Sequence, residues 1–166
     1  MKRILLPALI LWPLLIAHAA GAQSTDVTCS GTLSGRTVDG NVTVRAGAPC
    51  TLVNTRVSGD VQVQRGGQVT IQGSEVRGDV QGEVGFRALI LTGSVVRGDV
   101  DALRGRHFVM TNTRVEGDVA LKLNAGTVQL ERVTVRGDLE CEGNARTPVG
   151  GSNRVEGRRE GQCLAL

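Results

Sequence analysis

The chain has 166 residues, 23 glycines and only 2% aromatic residues, with 19 Lys and Arg against 16 Asp and Glu. That length fits one domain. A formal net charge of +3 is too small to mark a nucleic-acid footprint. So few rings exclude both an aromatic core and a sugar site built on stacked aromatics.

The first element along the chain reads as a secretory signal peptide over residues 1–22. Lys2 and Arg3 precede the apolar run "ILLPALILWPLLIA", and "HAAGA" offers cleavage after Ala19 or, as favoured here, after Ala22. The run is too short, and too interrupted by Pro7 and Pro13, for a good membrane span. No Cys follows either site to carry a lipid anchor. Residues 23–166 are therefore expected to be exported, to the periplasm or outside the cell, and not embedded in a membrane. Without the signal, the basic residues fall from 19 to 17 against the same 16 acids, a net charge of about +1. Trp12 and His18 leave with it, so the remainder holds His107, Lys122, Phe86 and Phe108 and neither Trp nor Tyr.

From there on the chain repeats. "TRVSGDV" (55–61), "SEVRGDV" (74–80), "VVRGDV" (95–100), "TRVEGDV" (113–119) and "VTVRGDL" (133–139) share one register, flanked by "TVDGNV" (37–42) and "NRVEGR" (153–158). The glycines at 40, 59, 78, 98, 117, 137 and 157 step by 19 or 20 residues. Three copies contain Arg-Gly-Asp, at residues 77–79, 97–99 and 136–138, the tripeptide read by adhesion receptors. The residue before Gly-Asp is nonetheless Ser58, Arg77, Arg97, Glu116 or Arg136, while Gly and Asp do not vary. The constant part is a turn, and the adhesion reading is secondary.

Each unit has the same internal order, clearest over residues 61–80. Val61 and Val63 alternate with polar residues as a half-buried strand does, Gly66-Gly67 breaks the chain, and Val69 and Ile71 form a second strand. Cys50/Leu52, Leu89/Leu91, Phe108/Met110 and Val128/Leu130 repeat that second strand. Asn54, Gly73, Gly93 and Asn112 follow it, residues that accept a left-handed backbone at low cost. Val76 makes a third short strand before Gly78-Asp79 turns into the next unit. Three short strands and three turns per coil predict an all-β, single-stranded parallel β-helix of six to seven coils, each burying its valines against the next. Irregular coil lengths favour a right-handed path over the strict hexapeptide, left-handed one.

Four cysteines in an exported chain imply two disulfides. Cys29 and Cys50 are 21 apart and Cys141 and Cys163 are 22 apart, about one coil each. This spacing predicts that each pair bridges vertical neighbours, at opposite ends of a stack about 30 Å tall.

The Gly-Asp ladder (Gly59-Asp60, Gly78-Asp79, Gly98-Asp99, Gly117-Asp118, Gly137-Asp138, with Asn41 leading) is the most chemical-looking feature. Carboxylates stacked about 5 Å apart repel by about 1 kcal/mol in water. The expectation is that each Asp accepts hydrogen bonds from its own turn, with Arg77, Arg97 and Arg136 nearby. Calcium bridging at Asp79, Asp99 and Asp118 is the less favoured alternative, since the repeat lacks the calcium-binding nonapeptide. No catalytic residue and no cofactor is expected: the coils are too short to hold the inserted loops of pectate-type enzymes, and His107 has no nucleophile beside it and reads as a corner residue. The sequence names no partner; the classes open to an exported chain are a cell-envelope or extracellular protein or a glycan, and no nucleic acid is expected. The runner-up is a small polysaccharide-directed enzyme or sugar-binding module of the pectate-lyase-like β-helix type.

Cys141, Gly143, Asn144, Pro148, Asn153, Val155, Gly161, Gln162 and Cys163 resemble the closing segment of a group of uncharacterised exported bacterial short β-helix proteins. These carry "V-x-G-[ND]-V" coils and a terminal Gly-Gln-Cys. "CTLVNTRVSGDV" (50–61) looks like their opening coil, while Arg146-Thr147 before the proline departs from their pattern. A looser likeness exists to polymer-forming bacterial β-helix scaffolds. Here, however, the ends are stapled, and Arg158 and Arg159 stand where Asp138 and Leu139 stood one coil earlier, so a monomer is expected. The resemblance implies fold and export, and no activity.

Overall fold

A computed structural model describes residues 25–166, so the expected signal peptide lies outside the described residues. The fold is all-β, with three parallel sheets of eight, seven and seven strands. The first sheet runs from Val27–Cys29 to Arg159–Gly161, the second from Thr32–Ser34 to Val149–Gly151, and the third from Thr37–Val38 to Arg154–Val155. Each coil gives one strand to each sheet and pairs with the coils before and after it, making a β-solenoid of about seven turns. The only described helix is a 3-10 segment, Gln162–Ala165, and no helix among the described residues is long and apolar enough to cross a membrane.

Alternation in the strands produces the columns of the core. Val42, Val61, Val80, Val100, Val119 and Leu139 stack in register in the first sheet, while Leu52, Ile71, Leu91, Met110 and Leu130 stack in the second. The third sheet stacks Val57, Val76, Val96, Val115 and Val135. All of these side chains are buried. At about 1.5–3 kcal/mol for each full burial, the columns supply the main driving force that no single coil could provide. Phe86 is also fully buried, and small residues make room for it: a side chain at Gly82 would come within 2.7 Å of the ring.

Two of the three corners carry buried polar ladders. The corner between the second and third sheets has positive φ at Asn54, Gly73, Gly93 and Asn112, as expected, and continues it at Arg132 and Ser152. Thr55, Ser74 and Ser94 follow, each turned inward so that its hydroxyl faces two carbonyl acceptors, one two residues back in its own coil and one in the coil below. At the corner between the first and second sheets, buried Asn124 accepts from the Gly105 N–H at 2.9 Å and donates to the Ala102 carbonyl at 2.9 Å. Asn144 repeats the arrangement one coil on, and Gln162 closes it.

Both disulfides join the expected partners, with Cα atoms 5.6 Å apart for Cys29–Cys50 and 5.1 Å for Cys141–Cys163. They do not join vertical neighbours. Cys29 stacks on Val44 in the first sheet and Cys50 on Val69 in the second, so this bridge crosses the interior between sheets. The first coil is short, as the pairing of Val27 with Val42 shows, and a separation of 21 overshoots it. Cys141 stacks on Gly161, and Cys163 reaches back from the 3-10 segment that closes the last coil.

Candidate functional site: the acidic corner and its face

At the corner between the third and first sheets, every Gly-Asp pair makes one contact pattern. The Oδ1 of Asp60 accepts the main-chain N–H of Asp79, Asp79 accepts that of Asp99, Asp99 that of Asp118, and Asp118 that of Asp138, all at 2.7–2.9 Å. The ladder starts at Asp26, passes through Asn41, and ends where Asp138 accepts the N–H of Arg158. The expectation that each Asp bonds within its own turn is thereby corrected: the acceptor serves the next coil. Stacking brings the next turn directly above the carboxylate.

This geometry also accounts for the glycine. A Cβ on Gly78, Gly98, Gly117 or Gly137 would collide with the Asp Oδ1 of the coil below and lie 2.7–2.8 Å from the glycine carbonyl there. Gly and Asp are thus a matched pair across coils. Charge-assisted hydrogen bonds of this kind contribute roughly 1.5–3 kcal/mol when shielded, less at an exposed corner, and offset the repulsion along the column.

The arginines of the three Arg-Gly-Asp stretches do not neutralise the ladder. Arg97 pairs with Glu75 at 2.8 Å and Glu116 at 3.6 Å, Arg136 pairs with Glu116 at 3.4 Å, and Arg77 makes no ion pair among the described residues. These pairs lie beside the third sheet, where Arg97 and Arg56 together hold the Glu75 carboxyl below its usual range. Among the described residues only Arg158 reaches the column with a side chain. Its backbone N–H and its guanidinium, 2.8 Å from Oδ2, lower the pKa of Asp138.

Beside the ladder, the outward positions of the first sheet run Gln62, Gln81, Asp101, Ala120, Glu140 and Glu160. Asp99, Asp101, Asp118, Asp138, Glu140 and Glu160, with Arg158, line a shallow depression of about 270 Å³. A second depression, about 390 Å³, opens where Ala120 leaves the face low beside Gln81 and Asp101. Asp101 lies between the two, and its carboxyl is pushed up by burial, then by Asp99 and Asp79, against the pull of Lys122. Lys122 is itself pushed up by the Glu140 carboxylate, 2.6 Å away.

No three His, Cys, Asp or Glu converge to hold a metal ion among the described residues. The three aspartates named for calcium each commit Oδ1 to the next coil. His107 is not a corner residue. It opens the strand His107–Thr111, exposed, its N–H donating to the Arg87 carbonyl at 3.2 Å. The sequence reading passed over Asp26, because the short first coil breaks the 19–20-residue step, and Asp101, because the face it joins exists only after stacking.

No family model, curated protein or solved structure matches the chain.

Proposed function

We propose that the protein is an exported, non-catalytic β-solenoid acting as a structural or binding element of the cell envelope or the extracellular space. The observation that carries this reading is the use to which the ladder is put. The carboxylate column holds coil to coil through its Oδ1 atoms, and the coils run in register from Val27 to Gly161. Chemistry-bearing groups at the corner are committed to architecture, and what remains is a rigid rod with charged faces. The two disulfides are compatible with an oxidising, extracellular compartment, and the signal peptide expected over residues 1–22 would deliver the chain there. The kinship with exported short β-helix proteins is part of the same proposal.

The second reading, a polysaccharide-directed module, is favoured by the acidic depression. There Asp101 is pushed up and Asp138 down, the divergence that acid–base pairs show. One assay separates the two. The protein produced from residue 23 onward is incubated with neutral, acidic and amino-sugar polysaccharides, and new reducing ends and unsaturated products are measured. The first reading expects none. Turnover that disappears in Asp101→Asn would replace it with the second.

A further inference from the structure

Arginine is distributed unevenly around the rod. On and beside the third sheet, Arg56, Arg97, Arg114, Arg136 and Arg154 pair with glutamates, while Arg36 and Arg77 make no ion pair among the described residues. Arg45, Arg65, Arg87, Arg104, Arg106 and Arg146 make no ion pair among the described residues, and all six lie between a first-sheet strand and the second-sheet strand that follows it. They form one ridge along the rod, rising about 4.8 Å per coil. Arg65, Arg87 and Arg106 border a common depression there, and the stem of Arg65 lies across Gly85.

The same ridge carries apolar side chains in water. Val84, Leu103 and Leu123 are 53%, 40% and 46% exposed. Two ridge residues are also held at a cost. Arg104 and Leu123 have φ of 54° and 57°, at a turn where other coils place Gly47, Gly66, Gly85 and Gly143. In that strained conformation Leu123 lies across Gly143 of the next coil yet keeps 46% of its surface in water.

We infer that this ridge docks on the surface of an anionic lipid membrane, with its arginines meeting phosphate headgroups and Val84, Leu103 and Leu123 entering the interface between them. Interleaved cations and apolar tips are the composition of interfacial binding. A soluble polyanion would use the arginines and leave the apolar side chains in water. The acidic face of a second copy would place carboxylates against them. Leu103 stands at the first-sheet edge of the ridge, in one column with Glu83, Lys122 and Glu142, so two carboxylates share that edge of the docking surface.

The inference rests on the non-catalytic reading and can fail without it. The oxidised protein from residue 23 onward is sedimented with vesicles of equal phosphatidylglycerol and phosphatidylcholine, and with phosphatidylcholine alone. Binding is expected only to the anionic vesicles and is expected to weaken in 0.5 M salt. Arg65→Ser/Arg87→Ser/Arg106→Ser should lower partitioning about 100-fold, from about five-fold per arginine near an anionic surface. Leu103→Ser/Leu123→Gly should lower it about 10-fold while relieving the turn, and Arg56→Ser/Arg114→Ser should leave it unchanged. Equal binding to neutral vesicles, or no binding at all, overturns the inference. So does dextran sulfate binding that depends on the arginines while vesicle binding ignores the leucines, or self-association that depends on the ridge. Vesicle binding lost with the polysaccharide assay still negative would remove this inference and leave the proposed function standing.

Discussion

At the scale of single residues, the corner ladder asks for an acceptor and only secondarily for a charge. Asn41 already serves it, its Oδ1 accepting the Asp60 N–H at 2.8 Å. Asp99→Asn should therefore melt at or above the wild-type temperature, since the acceptor stays and one stacked charge goes. Asp99→Ala leaves the Asp118 N–H without its partner and should cost about 1 kcal/mol, a fall of about 4 °C in Tm. Asp101 behaves oppositely with pH. Its folded pKa lies above the ordinary 3.8, so its favourable contribution is present below that value and lost as pH rises through the folded pKa. Asp101→Asn mimics the protonated form, so it should be more stable than wild type at pH 7 and equal to it below about pH 3.8. A pH series of melting curves checks the sign. Asp138 and Glu75, both lowered, contribute above their ordinary values and lose that contribution in acid.

At the scale of elements, the strands are interchangeable and the corners are not. A three-residue strand such as Val61–Val63 supplies only two inward valines, and its neighbours in the stack supply the rest of its stability. The terminal coil has a neighbour on one side alone. It is held instead by Cys141–Cys163 and by two hydrogen bonds between Asn144 and Gln162, at 2.8 and 2.9 Å. Closing a loop of about 20 residues contributes about 3 kcal/mol in the chain-entropy account. In Cys141→Ser/Cys163→Ser, amide exchange should quicken over residues 149–166 and stay slow over residues 61–135. Uniform acceleration along the rod would show instead that the solenoid unfolds as one cooperative unit.

For the whole molecule, the decisive question is whether the rod's ends stack on other rods, because exposed parallel edges invite pairing. The C-terminal end is covered. The 3-10 segment lies over it with Cys163 buried, and Arg159 occupies the position above Leu139 while its guanidinium donates to the Asn153 carbonyl at 2.8 Å. A second copy docking there would have to strip water from that arginine, at a cost of several kcal/mol. Sedimentation of the oxidised protein from residue 23 onward, at micromolar concentration without lipid, should show a monomer. Filaments would mean that the covering segment lifts, and reduction of the disulfides should then promote them.

How much of this was legible in the sequence follows from the range over which each feature acts. The β-solenoid could be read directly, because alternation within a strand and the Gly-Asp step between coils are patterns of one chain on itself. The left-handed corners at Asn54, Gly73, Gly93 and Asn112 were equally legible, being local backbone preferences. Contacts between coils were not. That Asp79 serves Asp99 rather than its own turn, that Cys29 faces Cys50 across two sheets, and that Arg97 turns to Glu75 and leaves the ladder all depend on groups 20 or more residues apart. Those groups meet only because stacking sets coils about 4.8 Å from one another. The same holds for the two faces that carry the functional proposals. Asp101 gains its acidic neighbours, and the unpaired arginines their alignment with Val84, Leu103 and Leu123, from a register that the sheets impose and that no short window of sequence contains.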